Sequence, residues 1–253
     1  MAIFESGNPA LNEKTFQKSV QVYDVDVVKM TERGTLNKFF LLSLLVIATA
    51  SITWSAFFQG KDVFTWMMVG GIGGFIVALI LVFNPSKATF LAPVYALLEG
   101  VFVGGISAVY NHAFDKSAPG IVFQAVVVTF GTVIAMYFLY RFQVIRVTDK
   151  FKSIVLTATL GVAFFYLIAF ILRLFHIDIP FLHEGSTLGI VFSLFVVGLA
   201  SMNLIINFDR IEQGVAMGAP KYMEWYGAFG LIVVIIWLYL EILRLLAKMN
   251  SRN

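Results

Sequence analysis

The sequence predicts an all-α, polytopic membrane protein, and three observations carry that prediction. Of its 253 residues, 59% are hydrophobic and 13% charged, with a mean hydropathy of +0.87, well outside the range of water-soluble domains of this length. Seven apolar runs follow one another, each about the 20 residues that a bilayer core requires. The basic residues gather in alternate gaps between those runs, as they do when positive loops stay on the cytosolic side.

Residues 1–38 read as a polar cytosolic tail, and residues 39–249 as a seven-helix transmembrane domain. The tail carries mixed charge, with a brief alternation in "SVQVYDVDVVKM". It has no apolar core with a small-residue cleavage site, so the first spanning helix is expected to direct insertion. That first span is Phe39 to Phe58, closed by a turn at Gly60, Lys61 and Asp62. The second runs from Val63 to Phe83, and its "GGIGG" sets Gly70 and Gly74 on one ridge where another helix can approach closely. After the breaker Asn84-Pro85, the third span covers Ala88 to Tyr110, with Pro93 as an expected kink. Glu99 falls near its middle, beside the small-residue pair Gly100 and Gly104. The fourth span runs from Pro119 to Tyr140, and the fifth from Ser153 to Leu174 with Arg173 at its end. An amphipathic turn containing His176 and His183 precedes the sixth, Thr187 to Phe208. A polar elbow rich in Gly214, Gly218 and Pro220 then leads to the seventh, Trp225 to Ala247.

Composition excludes several classes of function. The net charge of +3 is accounted for by orientation, and no basic stripe with interleaved aromatics marks a nucleic-acid surface. Cysteine is absent, which removes disulfides, thiolate metal sites and cysteine nucleophiles. His112, His176 and His183 do not have a metal-ligand spacing, and no phosphate-binding loop, nucleophile elbow or HExxH is present. The expectation is a protein that is not an enzyme and holds neither cofactor nor metal.

What remains are ionisable and amide groups inside apolar runs. A charge at the centre of a spanning helix costs about 2.5–3.5 kcal/mol on insertion scales, so such groups are read as functional by default. Glu241, Glu99 and Arg173 are the charged members; Asn203 and Asn207 share one face of the sixth span. Asp209 and Arg210 follow at its end and read as solvated interfacial anchors.

The segments "MTERGTLNKFFLLSLLVIATASITW", "LAPVYALLEGVFVGGISAVYN" and "GIVFSLFVVGLASMNLIINFDRIEQGVAMGAPKYMEWYGAFGLIVVIIWLYLEILRLL" resemble the Bax inhibitor-1 family, specifically its bacterial YccA-like branch with an extended amino-terminal tail. The resemblance implies a seven-helix bundle with the last helix central, and a pH-sensitive leak of cations, chiefly calcium. It further implies a latch between an acid at the end of the sixth helix and an acid in the seventh; two carboxylates in contact cannot both ionise cheaply and so titrate as a unit. Laid on this chain without gaps, the second acid is Glu241, but the first position holds Asn207, while Asp209 lies about 200° further around the helix. The amide can imitate a permanently protonated acid.

Depth leaves several partners open for Glu241. It stands about 16 residues beyond Trp225, or roughly 24 Å along the helix, so Asn207, Arg173, Glu99 and, one turn away, Arg244 all remain candidates. The sequence-level reading is a calcium or other cation leak in the inner (plasma) membrane with a cytosolic amino terminus, using Glu241, Asn207, Asp209, Glu99 and Arg173. The alternative is a non-transporting interaction protein that modulates a membrane protease or a stress response, supported by the tail and the glycine-rich faces of the second and third spans. The partners implied are the lipid bilayer, the transported cation and, on the alternative reading, the protease.

Overall fold

A computed structural model describes residues 28–175 and 186–251. The first helix, α1 (Glu32–Phe58), begins earlier than hydropathy places the span, because Thr31 caps it: the Thr31 side chain accepts from the Gly34 amide at 3.0 Å and Glu32 adds an acid to the first turn. Gly60, at φ 76°, turns the chain at a position where a side chain would be strained. Asp62 then accepts from the Phe64 amide at 2.9 Å at the start of α2 (Phe64–Phe83). Pro85–Lys87 make one 3₁₀ turn into α3 (Ala88–Ala113), which stays α-helical through Pro93. The remaining helices are α4 (Ile121–Arg141), α5 (Asp149–Leu174), capped by Thr148, α6 (Thr187–Ala216) and α7 (Met223–Asn250). The His176 and His183 turn and most of the amino-terminal tail lie outside the described residues.

Among the described residues, seven helices are long and apolar enough to cross a membrane, and the all-α expectation holds. The share of each apolar window that is buried separates them: 11% in α5 and 17% in α1 and α4, but 56% in α6 and 61% in α7. Large apolar side chains stand uncovered on the outer helices, among them Phe40, Phe75, Phe83, Phe90 and Phe123. In water such surface would aggregate; in a bilayer it is the surface that meets lipid. The last helix is accordingly the most enclosed.

The chain divides into two compact units, one formed by Met1–Val109 and Asn207–Val233, the other by Tyr110–Ile206 and Val234–Asn253. In the first unit the glycine ridges are filled from within. A Cβ on Gly70 would stand 2.6 Å from the Leu98 carbonyl of α3, and Cβ atoms on Gly100 and Gly104 would collide with the α1 backbone at Val46 and Ala50. Hydrogen at Cα is what lets these helix backbones touch. Val28–Thr31 also belong to this unit: Lys29 pairs with Pro220 in an isolated antiparallel bridge, Met30 donates to the Ala219 carbonyl at 2.7 Å, and Lys221 donates to the Val28 carbonyl at 3.0 Å.

In the second unit, Val155 and Val162 of α5 pack with Val196, Leu199 and Ile206 of α6, flanked by Tyr166, Phe192 and Trp237. Asn203 makes a polar side-chain bridge between α6 and α5 in that core, donating to Thr159 Oγ1 at 2.9 Å and, within α6, to the Leu199 carbonyl at 3.0 Å. The sixth helix runs eight residues beyond Phe208 to Ala216, so the elbow before α7 is shorter than the sequence suggests.

Candidate functional site

Glu241 is 1% exposed and sits in the third quarter of α7. Its Oε1 accepts from the Tyr166 hydroxyl of α5 at 2.9 Å and from Arg244 Nη1 at 2.7 Å. Arg244 Nη1 also donates to the Tyr166 oxygen at 2.7 Å, and its guanidinium lies 5.1 Å from the centre of the Tyr166 ring. The three side chains therefore close a ring in which each touches the other two. Tyr166 is held from behind by Phe192, edge to face at 6.2 Å. Glu241 Oε2 is buried and has no hydrogen-bond partner among the described residues.

This arrangement follows from helix geometry. Residues 241, 244 and 248 are spaced by three and four, so they share one face of α7. Of the partners open to Glu241 in the sequence, the neighbour Arg244 takes the bond, while Arg173 is exposed in the last turn of α5. Further along the same face, Lys248 is 3% exposed and donates to the Gly189 carbonyl at 3.1 Å and to Ser193 Oγ at 2.9 Å.

The other sequence candidates fall elsewhere. Asn207, at 1% exposure, donates to the Gly230 carbonyl of α7 at 3.3 Å, within the first unit. Asp209 accepts from Gln213 one turn on at 2.8 Å; α6 has not frayed there, so Asp209 stays on a different face from Asn207. Arg210, expected to be a solvated anchor, is 3% exposed, because the longer α6 carries it into the packed interior. Glu99 is half-buried over the notch at Gly74, with its Oε2 2.7 Å from where a Cβ on that glycine would stand. No group of three metal-ligating side chains comes together among the described residues.

A second buried acid was not singled out by sequence. Glu224, in the first turn of α7, accepts from the Thr31 amide at 3.0 Å and the Thr31 hydroxyl at 2.9 Å through Oε1, and forms an ion pair with Lys38 through Oε2. Lys38 also lies over the Trp225 ring at 5.6 Å. The one signal for Glu224 was an acid directly before Trp225, a position favoured by the helix dipole. Tyr166 had a weaker signal: an aromatic with a polar tip inside an apolar run must find a partner when buried.

Fold and site together define a multi-pass, all-α membrane protein that gathers buried charged side chains on its last and most enclosed helix. Comparison with protein families matches residues 8–251 to the Bax inhibitor 1 like family. That match spans nearly the whole chain, which belongs to this family. No curated protein and no solved structure matched the chain.

Proposed function

We propose that the protein is a pH-sensitive cation leak pathway of the inner (plasma) membrane, with calcium as the first candidate ion, in the YccA-like branch of its family. One observation carries the reading: Glu241 is buried in a spanning helix with one carboxylate oxygen bonded and the other bare. An unmatched buried acceptor is costly to keep, and it is a place where a proton or a cation can bind. Protonating Glu241 weakens its attraction to Arg244, which biases the packing of α7 between a closed and an open arrangement. Because Asn207 stands where the resemblance places the first acid, the pH response rests on Glu241, with Glu99 as a second titrating group. The distribution of basic residues between spans supports a cytosolic amino terminus.

The rival reading as an interaction protein leans on the glycine faces of α2 and α3. Those faces are filled by neighbouring helices of the same unit, which favours the leak reading. The test is calcium flux in proteoliposomes across a pH series for the parent and Glu241→Gln. The leak reading expects a pH-dependent flux in the parent that flattens in the variant; superimposable, pH-independent traces would remove it.

A further inference from the structure

Lys248 stands within the last turn of α7, which ends at Asn250. A lysine so close to a helix end ordinarily extends outward, keeping its stem on apolar surface and its ammonium in water or among headgroups. Lys248 turns inward instead. It is 3% exposed, and Ser193, one of its two acceptors, is 1% exposed. Both acceptors, the Gly189 carbonyl at 3.1 Å and Ser193 Oγ at 2.9 Å, are neutral oxygens presented by one turn of α6. Among the described residues its ammonium forms no ion pair. The nearest carboxylate on the same face of α7, Glu241, spends its bonded oxygen on Tyr166 and Arg244.

A carbonyl and a hydroxyl converging on a buried ammonium are the ligands that a dehydrated small cation takes. We infer that Gly189 and Ser193 form a site for a small monovalent cation, and that the chain's own Lys248 ammonium occupies it, closing the route past Glu241. The chemistry has two parts. The ammonium fills the oxygen site, so a free cation cannot. With Arg244 one turn earlier, it also leaves two positive charges against one carboxylate on this face of α7, which repels an approaching cation. The role as a closure rests on the leak reading; occupation of the oxygen site does not.

The test uses the full chain as the parent, Lys248→Ala and Lys248→Met. Truncation to alanine removes three carbons and the ammonium, which n-propylammonium supplies in solution; n-propanol is the neutral control. A ligand that binds only the folded state raises its melting temperature. n-Propylammonium is therefore expected to raise the melting temperature of Lys248→Ala by a few degrees, n-propanol to do so much less, and neither to move the parent or Lys248→Met. Equal stabilisation by n-propanol means an apolar cavity and overturns the cation site, as does no stabilisation at all. Should Lys248→Ala not fold, Lys248→Ser, whose hydroxyl can bond to Ser193, carries the same measurement.

In proteoliposomes, Lys248→Ala and Lys248→Met are both expected to leak several-fold faster than the parent, and n-propylammonium to slow only Lys248→Ala. Variants that leak like a conducting parent overturn the closure, and a gain confined to Lys248→Ala assigns it to bulk and overturns the electrostatic part. If the parent and all variants fail to conduct, the leak reading and the closure fall together, while the melting result decides the oxygen site separately.

Discussion

Glu224 and Glu241 are both buried acids of α7, 2% and 1% exposed, yet they are bonded in opposite ways. Glu224 is saturated: two donors from Thr31 reach one oxygen and Lys38 pairs with the other. Glu241 concentrates two donors on one oxygen and leaves the other bare. A saturated carboxylate holds structure, because every arrangement that moves it loses bonds. A half-saturated one still has an acceptor to offer to a proton or a cation. Burial alone does not distinguish the two acids; the state of the second oxygen does.

The contrast can be broken by substitution, and the largest effect is expected at Glu224. Glu224→Ala leaves the Lys38 ammonium and both Thr31 donors without an acceptor, and breaking a buried pair from one side costs about 3–5 kcal/mol. Lys38 retains some solvent contact, with 18% of its side chain exposed, which moves the expectation to the lower end of that range. Thermal unfolding in detergent reads this as a clear drop in midpoint, and a midpoint equal to the parent's would show that the Glu224 bonds are not structural.

Gly34→Ala attacks the same acid from the other side. Its Cβ would land on the Glu224 carboxylate, so the side chain must leave its bonds or α1 must shift; overpacking of this kind costs about 1–3 kcal/mol. Combined with Glu224→Ala, the glycine change is expected to cost nearly nothing more, since the two remove one interaction. Additive losses would count against the contact.

The smallest effect belongs to the Glu241 ring. Tyr166→Phe removes the hydroxyl that donates to Glu241 and accepts from Arg244, while Arg244 still reaches Glu241 and lies over the ring. The expected loss of stability is about 0.5–1.5 kcal/mol. A stability loss as large as that of Glu224→Ala would erase the distinction between the two acids.

The sequence alone determined the all-α class, the number of spans and the presence of close helix contacts at Gly70, Gly74, Gly100 and Gly104. Hydropathy and length are sums over neighbouring residues, so they can be read along the chain. The end of α6 was harder to read: "NFDRIEQGVA" looks polar enough to leave the membrane, but packing keeps it helical to Ala216 and buries Arg210.

Only the tertiary structure decided which partner each buried polar group takes. Thr31 and Glu224 are 193 residues apart, Tyr166 and Glu241 75, and Gly189 and Lys248 59. No periodicity links such positions, because an unpaired charge in an apolar interior is resolved by whichever donor or acceptor the fold brings within about 3 Å. Sequence singled out Glu241 as an acid in need of a partner. The fold chose Tyr166 and Arg244 for it, left one of its oxygens bare, and turned Lys248 inward.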